Sequence, residues 1–594
     1  MNNISFLRKP DNIIRVGIVL LMMLTTIMSV ERRWMEAEVW IFYGIPVLLL
    51  FGYAMLIWKR QRFCCTLTDV ITVVWFTYYV GRTWIGNEWP CRMEFLKTAE
   101  LFLLYVGLRV AFHRTKMSAW VLISCILVFG CYEAWLGVSQ MYGDEVSRHG
   151  LFALTGNFLN PGPYSAYLMI GVVIGLAALK DMCDKSIIVK IPNVRFPDYF
   201  KDKIPTTVAE RVKSVTWKHL VVAAVAFMAM ILPATLSRAA FLGVAVVALL
   251  IYRDKYWKYR YIVWGAIALL GIAFYFFKQG SADSRLIIWK ASLSSWIDRP
   301  WLGVGIGGFY NAFAEGMSKL STYDMDSSAA GVPGYAFNIL LKIVTEQGIA
   351  GGFFAFILTA VAMMDLSRNS STLFWGIVSL LVFAMFSYPF DLLPYKVIAV
   401  LIIAWSESIG DRRVFEIGRI KMFLLSCFLS LTSWQTGKIA SKSYQTDWDS
   451  YMPIEFNSYS IKEGYKWLPL ENDNSRFLFS FGKKLRDEER YNESNLIFRQ
   501  GTKCSADPMF YILMGNNYKE MKHYDLAEKS YYKAFAVMPN RLLPFYQLML
   551  LYKDSGDMKK ATAMARRVIE MKPKIESRLT KEMKDKARDF LSQH

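Results

Sequence analysis

Arg238 and Arg285 are the residues whose type and setting point most directly to chemistry. Arg238 stands between two apolar runs in ILPATLSRAAFLGVAVVALL. A guanidinium at membrane depth is costly unless it reaches water or an anion, so the residue reads as functional. The alternative is a turn residue whose long side chain reaches the interface. Arg285 lies in SADSRLIIWKA, four residues before Trp289, so the two share a face if the segment is helical. Here the alternative is an interfacial amphipathic helix with a tryptophan anchor. Guanidinium groups match phosphate oxygens through a planar fork. Two of them on one membrane face suit a lipid diphosphate, whose departing charge they would neutralise.

The stretch HGLFALTGNFLNPGPYSAYLMI, running from His149 to Ile170, adds further candidates. Asn157 has hydrogen-bonding capacity for sugar hydroxyls, and turn or cap chemistry explains it equally well. His149 is the one histidine that the topology described below brings near the arginines. The glycine run from Gly303 to Gly308 invites a dinucleotide-loop reading, but no strand precedes it, and a close-packed loop fits better. Eight cysteines show no CxxC pair and no spacing with histidine that would hold a metal. They read as small buried residues.

These residues need a scaffold, and composition says which kind. Hydrophobic residues make up 54% of the 594, and the mean hydropathy is +0.26, so a polytopic membrane protein is expected. A membrane-crossing helix needs about 20 apolar residues. About thirteen segments qualify, near 13–30, 37–58, 65–83, 95–112, 118–139, 160–180, 217–234, 237–252, 260–277, 348–365, 371–389, 393–409 and 419–435. The net charge of +20 follows this pattern and implies no nucleic-acid partner. Alternate connections are basic: KRQR at 59–62, HRTK at 113–116, the loop from Lys180 to Lys218, YRDKYWKYR at 252–260 and DRRVFEIGRIK at 411–421. The positive-inside rule makes those cytoplasmic, together with the N-terminus that carries Arg8 and Lys9. It places the 140–159 loop, the Gly280–Gly352 region, DLLPYK and the whole tail on the other side.

The tail differs in kind. Gly515, Tyr518, Ala527, Tyr531, Ala534 and Pro539 occupy the signature positions of a tetratricopeptide repeat. The 34-residue period recurs from Tyr518 to Tyr552, Ala527 to Ala561 and Pro539 to Pro573. A weaker unit with Gly482, Leu485, Tyr491 and Phe498 precedes them. Such stacks bind partner proteins more often than they catalyse. The expected fold is therefore all-α: a polytopic membrane helix bundle of about 12–13 spans, residues 1–435, followed by a soluble helical domain, 436–594, with repeats over about 474–574.

LSRAAFLGV, SRLIIWKASLSSWIDRPWLGVGIGGF and FNILLKIVTEQGIAGG, in that order among many spans, resemble the O-antigen ligase and polymerase superfamily over roughly residues 145–410. The resemblance implies a glycosyltransferase needing neither metal nor cofactor, in the bacterial inner membrane. It implies transfer of a glycan from undecaprenyl diphosphate, on the periplasmic face, to lipid A–core, a protein hydroxyl or another glycan. On that pattern Arg238 and Arg285 hold the carrier diphosphate. Asn338, Gly348 and Gly351 fall on a motif written as His-Asn, apolar residues, then Glu-x-Gly, with Glu346 on its acid. Phe337 replaces the motif's histidine and cannot accept a proton. Glu346 or His149 would then serve as base, or arginine stabilisation of the leaving diphosphate dominates. Other partners expected are membrane lipids and a protein bound by the repeats. Protein O-glycosylation, glycan polymerisation and a non-catalytic scaffold that kept the fold remain the alternatives.

Overall fold

The computed structural model describes residues 10–28, 31–84, 92–184, 217–277, 279–323, 333–409, 413–455, 457–573 and 576–593. Most of the expected basic loop from Lys180 to Lys218, and Arg8 and Lys9, lie outside the described residues. The described residues are all-α apart from two three-residue strands. In order, the helices of the first part are α1 (Pro10–Ile27), α2 (Glu31–Trp58), α3 (Leu67–Trp84), α4 (Arg92–Ala111), α5 (Ala119–Tyr142), α6 (Pro161–Asp184), α7 (Trp217–Ile231), α8 (Arg238–Ile251) and α9 (Arg260–Phe277). They continue with α10 (Gln279–Trp296), α11 (Phe309–Tyr323), α12 (Ile339–Asn369), α13 (Ser371–Ala384), α14 (Leu393–Ile409) and α15 (Arg419–Glu455).

Every segment expected to span falls on one of these helices. Among the described residues, six helices are long and apolar enough to cross a membrane: α1, most of α2, α5, α6, α7 with the turn after it, and α12. Helices α8 and α13 are shorter apolar helices. The outward faces are greasy, with Ile262 72% and Leu269 68% exposed on α9. In water so broad an apolar surface would drive association, whereas lipid solvates it. Small residues let the helices approach: a Cβ at Gly171 or Gly175 of α6 would meet Met228 or Val225 of α7 at 2.5 or 2.1 Å. Helix α6, the most enclosed of the six, packs against α5, α7, α8 and α13 and forms the centre of the bundle.

The connections sort onto two faces. Strand β1 (Phe63–Cys65) pairs antiparallel with β2 (Phe415–Ile417), Cys64 opposite Glu416. The His113 Nε2 atom hydrogen-bonds to the Arg62 carbonyl at 3.1 Å. Three of the basic connections thus meet. Arg109 lies just beneath, with a bidentate grip on Asp69 at 2.7 and 2.9 Å. The 24 residues of α5 place its far end roughly 36 Å away. There the 155–163 loop, Tyr335, Tyr388 and Asp391 gather around one cavity.

Helix α15 is 37 residues long, about 55 Å, and exceeds a hydrocarbon core of about 30 Å. It packs along α2, where Ser433 donates to the Phe42 carbonyl at 2.6 Å, and its polar second half carries the chain beyond the bilayer. Helices α16 (Ile461–Glu471), α17 (Ser475–Asp487), α18 (Tyr491–Cys504), α19 (Met509–Glu520), α20 (Tyr524–Val537), α21 (Leu543–Asp554), α22 (Met558–Glu570) and α23 (Arg578–Gln593) follow. The pairs α17/α18, α19/α20 and α21/α22 pack as successive hairpins. Gly482 faces the Phe498 ring and Gly515 the Tyr531 ring, and a Cβ would approach them to 2.4 and 2.5 Å. Gly515→Ala is expected to cost about 1–3 kcal/mol by overpacking this contact. Limited proteolysis of the tail should show it as faster cleavage, and unchanged protection would count against the packing.

Candidate functional site

The site is assembled around a break in α12. Gly348 has φ 68° and ψ −169°, inside a helix that otherwise runs from Ile339 to Asn369. The interrupted turn turns its backbone toward the glycine loop after α10. Val304 and Gly305 donate to the carbonyls of Thr345 and Glu346 at 2.9 Å each, while Ile349 and Ala350 donate to Pro300 and Trp301 at 2.8 and 3.2 Å. Arg82 of α3 donates to the Leu302 carbonyl at 2.9 Å, and the Tyr78 hydroxyl donates to Gln347 at 2.6 Å. A Cβ at Gly303 would sit 2.5 Å from the Glu346 backbone. The glycines are thus explained by backbone meeting backbone, as a close-packed loop requires.

This clasp fixes α10 against the start of α12. The Arg285 Nη1 donates to the Phe386 carbonyl at 2.8 Å, and its guanidinium lies over the Phe337 ring, 5.0 Å from the centroid. Burial, then the nearby charge of Arg238, lowers its pKa from the usual guanidinium value. Arg238 begins α8 after a turn in which Leu236 has φ 49°. Arg238 thus lies within electrostatic reach of Arg285, and among the described residues Arg285 makes no ion pair. Trp289, one turn along α10, donates through Nε1 to the Ala336 carbonyl at 3.2 Å.

Phe337, the residue in the motif's histidine position, has φ 54°. Its ring meets Tyr388 edge to face at 5.4 Å, and Tyr388 stacks on Tyr335 at 3.8 Å. Asn338 caps α12 by accepting from the Leu341 N–H at 3.0 Å and donates to the Met385 carbonyl at 3.2 Å. Asn338 and Arg285 thus hold consecutive carbonyls at the end of α13, a positioning arrangement.

One turn further, Lys342 pairs with Asp391 at 2.5 Å. Phe337, Tyr388, Lys342 and Asp391 line one small pocket. Glu346 is buried on the next turn, within electrostatic reach of Lys342, Glu94 and Asp391. Sequence reading missed Lys342, Asp391, Tyr335 and Tyr388, although DLLPYK, which contains Asp391, was visible as a connection on this face. An aspartate and a lysine 49 residues apart carry no local signal that they pair.

The other candidates lie elsewhere. The hydrogen bonds of His149 stay within its own loop, where Nδ1 accepts from the Leu151 N–H at 3.0 Å. Asn157 is buried and bound to Glu133 of α5, its N–H at 3.1 Å and its Nδ2 at 2.9 Å from the two carboxylate oxygens. Gln140 pins the preceding residues through the N–H groups of Thr155 and Gly156 at 2.9 and 2.8 Å. Asn157→Ala should destabilise the protein by about 1–3 kcal/mol, because a buried carboxylate loses a donor. A lower melting temperature in detergent with transfer retained in the cold would fit this anchoring role. Lost transfer at an unchanged melting temperature would assign Asn157 to the glycan instead.

Among the described residues, no group of three or more histidine, cysteine, aspartate or glutamate side chains is placed to hold a metal. The arrangement offers two neighbouring guanidinium groups, an aromatic wall and a lysine-paired carboxylate, which together suit transfer from an anionic leaving group. No curated protein matches the chain. Residues 223–356 match the family model described as O-Antigen ligase, a segment that holds Arg238, Arg285, the glycine loop and the Gly348 break. Through that segment the chain is similar to the O-antigen ligase family, and with its membrane-length helices this supports a multi-pass membrane protein of the glycan ligase or polymerase type in general.

Proposed function

We propose that this chain moves a glycan from undecaprenyl diphosphate to lipid A–core on the periplasmic face of the bacterial inner membrane. The observation that carries the reading is that Arg238 and Arg285, 47 residues apart in sequence, lie within electrostatic reach of one another in the fold. Like charges held together raise the energy of an empty site, and a diphosphate relieves it. As the glycosidic oxygen leaves on the diphosphate, the developing charge falls between two prearranged guanidinium groups. The acceptor hydroxyl gives up its proton to a carboxylate, because Phe337 cannot take it. Glu346 is the candidate base, linked through Lys342 to Asp391 at the aromatic wall. His149 is the second candidate, and it would have to leave its loop contacts to act. The charge pattern of the connections supports a cytoplasmic N-terminus and a periplasmic tail.

A second reading, protein O-oligosaccharyl transfer, is favoured by one contact. Phe313 and Met317 of α11 share a hydrophobic cluster with Ala506 and Val537 of the tail. Read as tetratricopeptide repeats, the tail hairpins would present a protein acceptor beside the site. Mass spectrometry of surface lipopolysaccharide and of periplasmic proteins, with and without the gene, tests both. Glycan missing from lipopolysaccharide supports the ligase, and glycan missing from proteins supports the second reading. No change in either fraction sinks both.

A further inference from the structure

A cavity of about 360 Å³ lies between the bundle and the helices that follow it, within the size range of small-ligand sites. The stacked rings of Tyr335 and Tyr388 line one part of it. Asp447 of α15, with Glu471 and Asp473 from the α16–α17 turn, lines another. Asn474 sets two of these acids in place, donating to Asp447 at 2.9 Å and to Glu471 at 2.7 Å. Glu38 and Asp391 raise the lining carboxylates to five, against one lysine, Lys97. Tyr388 also meets, edge to face, the Phe337 ring over which the Arg285 guanidinium lies, so these two rings link Arg285 to the acidic chamber.

We propose that this cavity receives the sugar bonded to the carrier diphosphate, admitting an uncharged or amine-bearing sugar and rejecting an acidic one. The inference rests on the arginine-pair reading above. A sugar one bond from a diphosphate held by Arg238 and Arg285 must lie beside them, and Tyr388 is the side chain common to both spaces. The tyrosine rings supply an apolar platform for one sugar face, and the carboxylates accept hydrogen bonds from its hydroxyls. A uronic acid in the same place would bring a further carboxylate into a lining where, even with Asp391 paired to Lys342, acids outnumber lysines, a like-charge arrangement that excludes wrong ligands. The tail thereby becomes part of the donor site, since α15 and the α16–α17 turn build one wall.

The test uses the full-length chain in lipid nanodiscs and three probes: undecaprenyl diphosphate, its N-acetylglucosamine conjugate and its glucuronic acid conjugate. The N-acetylglucosamine lipid is expected to bind about tenfold tighter than the bare lipid, a difference of about 1.4 kcal/mol. The glucuronic acid lipid should gain nothing over the bare one. Tyr335→Ala should erase the tenfold gain, and an unchanged melting temperature in the nanodisc shows that the variant is folded. The double substitution Asp447→Asn with Asp473→Asn should admit the acidic sugar. Equal affinity of the unaltered protein for all three lipids overturns the cavity assignment alone. Failure to bind even the bare lipid overturns the arginine-pair reading, and this inference with it.

Discussion

Arg285→Ala should reduce glycan transfer about 10²–10³-fold, the usual cost of removing one prearranged donor to a developing anion. Arg285 is half-buried, anchored on the Phe386 carbonyl and braced by the Phe337 ring. Its removal takes away half of the charge that Arg238 and Arg285 present together. Stability should change little. The lowered pKa means that burial, and then Arg238, disfavour the charged form, so loss of the charge removes both costs. Against that stands the lost contact with Phe337, about 0.5–1 kcal/mol at an exposed site. Arg285→Lys should fall between, because an ammonium keeps the charge and lacks the fork. Transfer measured on purified protein, beside its melting temperature and its amount in membranes, separates the effects. Undiminished transfer by the alanine variant would refute the assigned role.

Gly348→Ala should be the most destabilising single-residue change at the site, by about 3–5 kcal/mol from backbone strain and overpacking together. At φ 68° and ψ −169° the backbone is in a region that essentially only glycine occupies. A Cβ there would sit 2.2 Å from the Trp301 carbonyl oxygen, and backbone on both sides cannot step aside. Gly303→Ala meets the opposite side of the same clasp and should behave alike. Gly280 of α10 is the control, since a Cβ there meets nothing within 4 Å. Its alanine variant should be neutral or gain up to about 1 kcal/mol of helix propensity. Thermal melting in detergent decides the matter. Equal melting temperatures for Gly348→Ala and Gly280→Ala would remove the clasp from the account.

The helices were largely legible in the sequence, because lipid forces apolar residues into runs as long as the membrane is thick and backbone groups into helical hydrogen bonds. The helices of the tail were legible for a related reason: Gly482 and Gly515 stand where a bulky Phe498 and Tyr531 need room. Resemblance singled out Arg238 and Arg285 as well. Each of these signals is local, carried by residues within a turn or a hairpin of one another. Asn157 shows the limit, since its short polar side chain looked suited to a sugar and the fold spends it on Glu133, 24 residues away.

What the chain alone determined was an all-α membrane protein, an alternation of basic and less basic connections, and Arg238 and Arg285 as candidates. Tertiary structure decided that Arg238 comes within electrostatic reach of Arg285, that the glycine loop clasps a broken α12, that Lys342 finds Asp391, and that Tyr335 stacks on Tyr388. The physical reason is range. Helix propensity and hydropathy act over a few residues, whereas these contacts join positions about 40 to 55 apart in the chain, set only by how helices with interchangeable apolar faces pack.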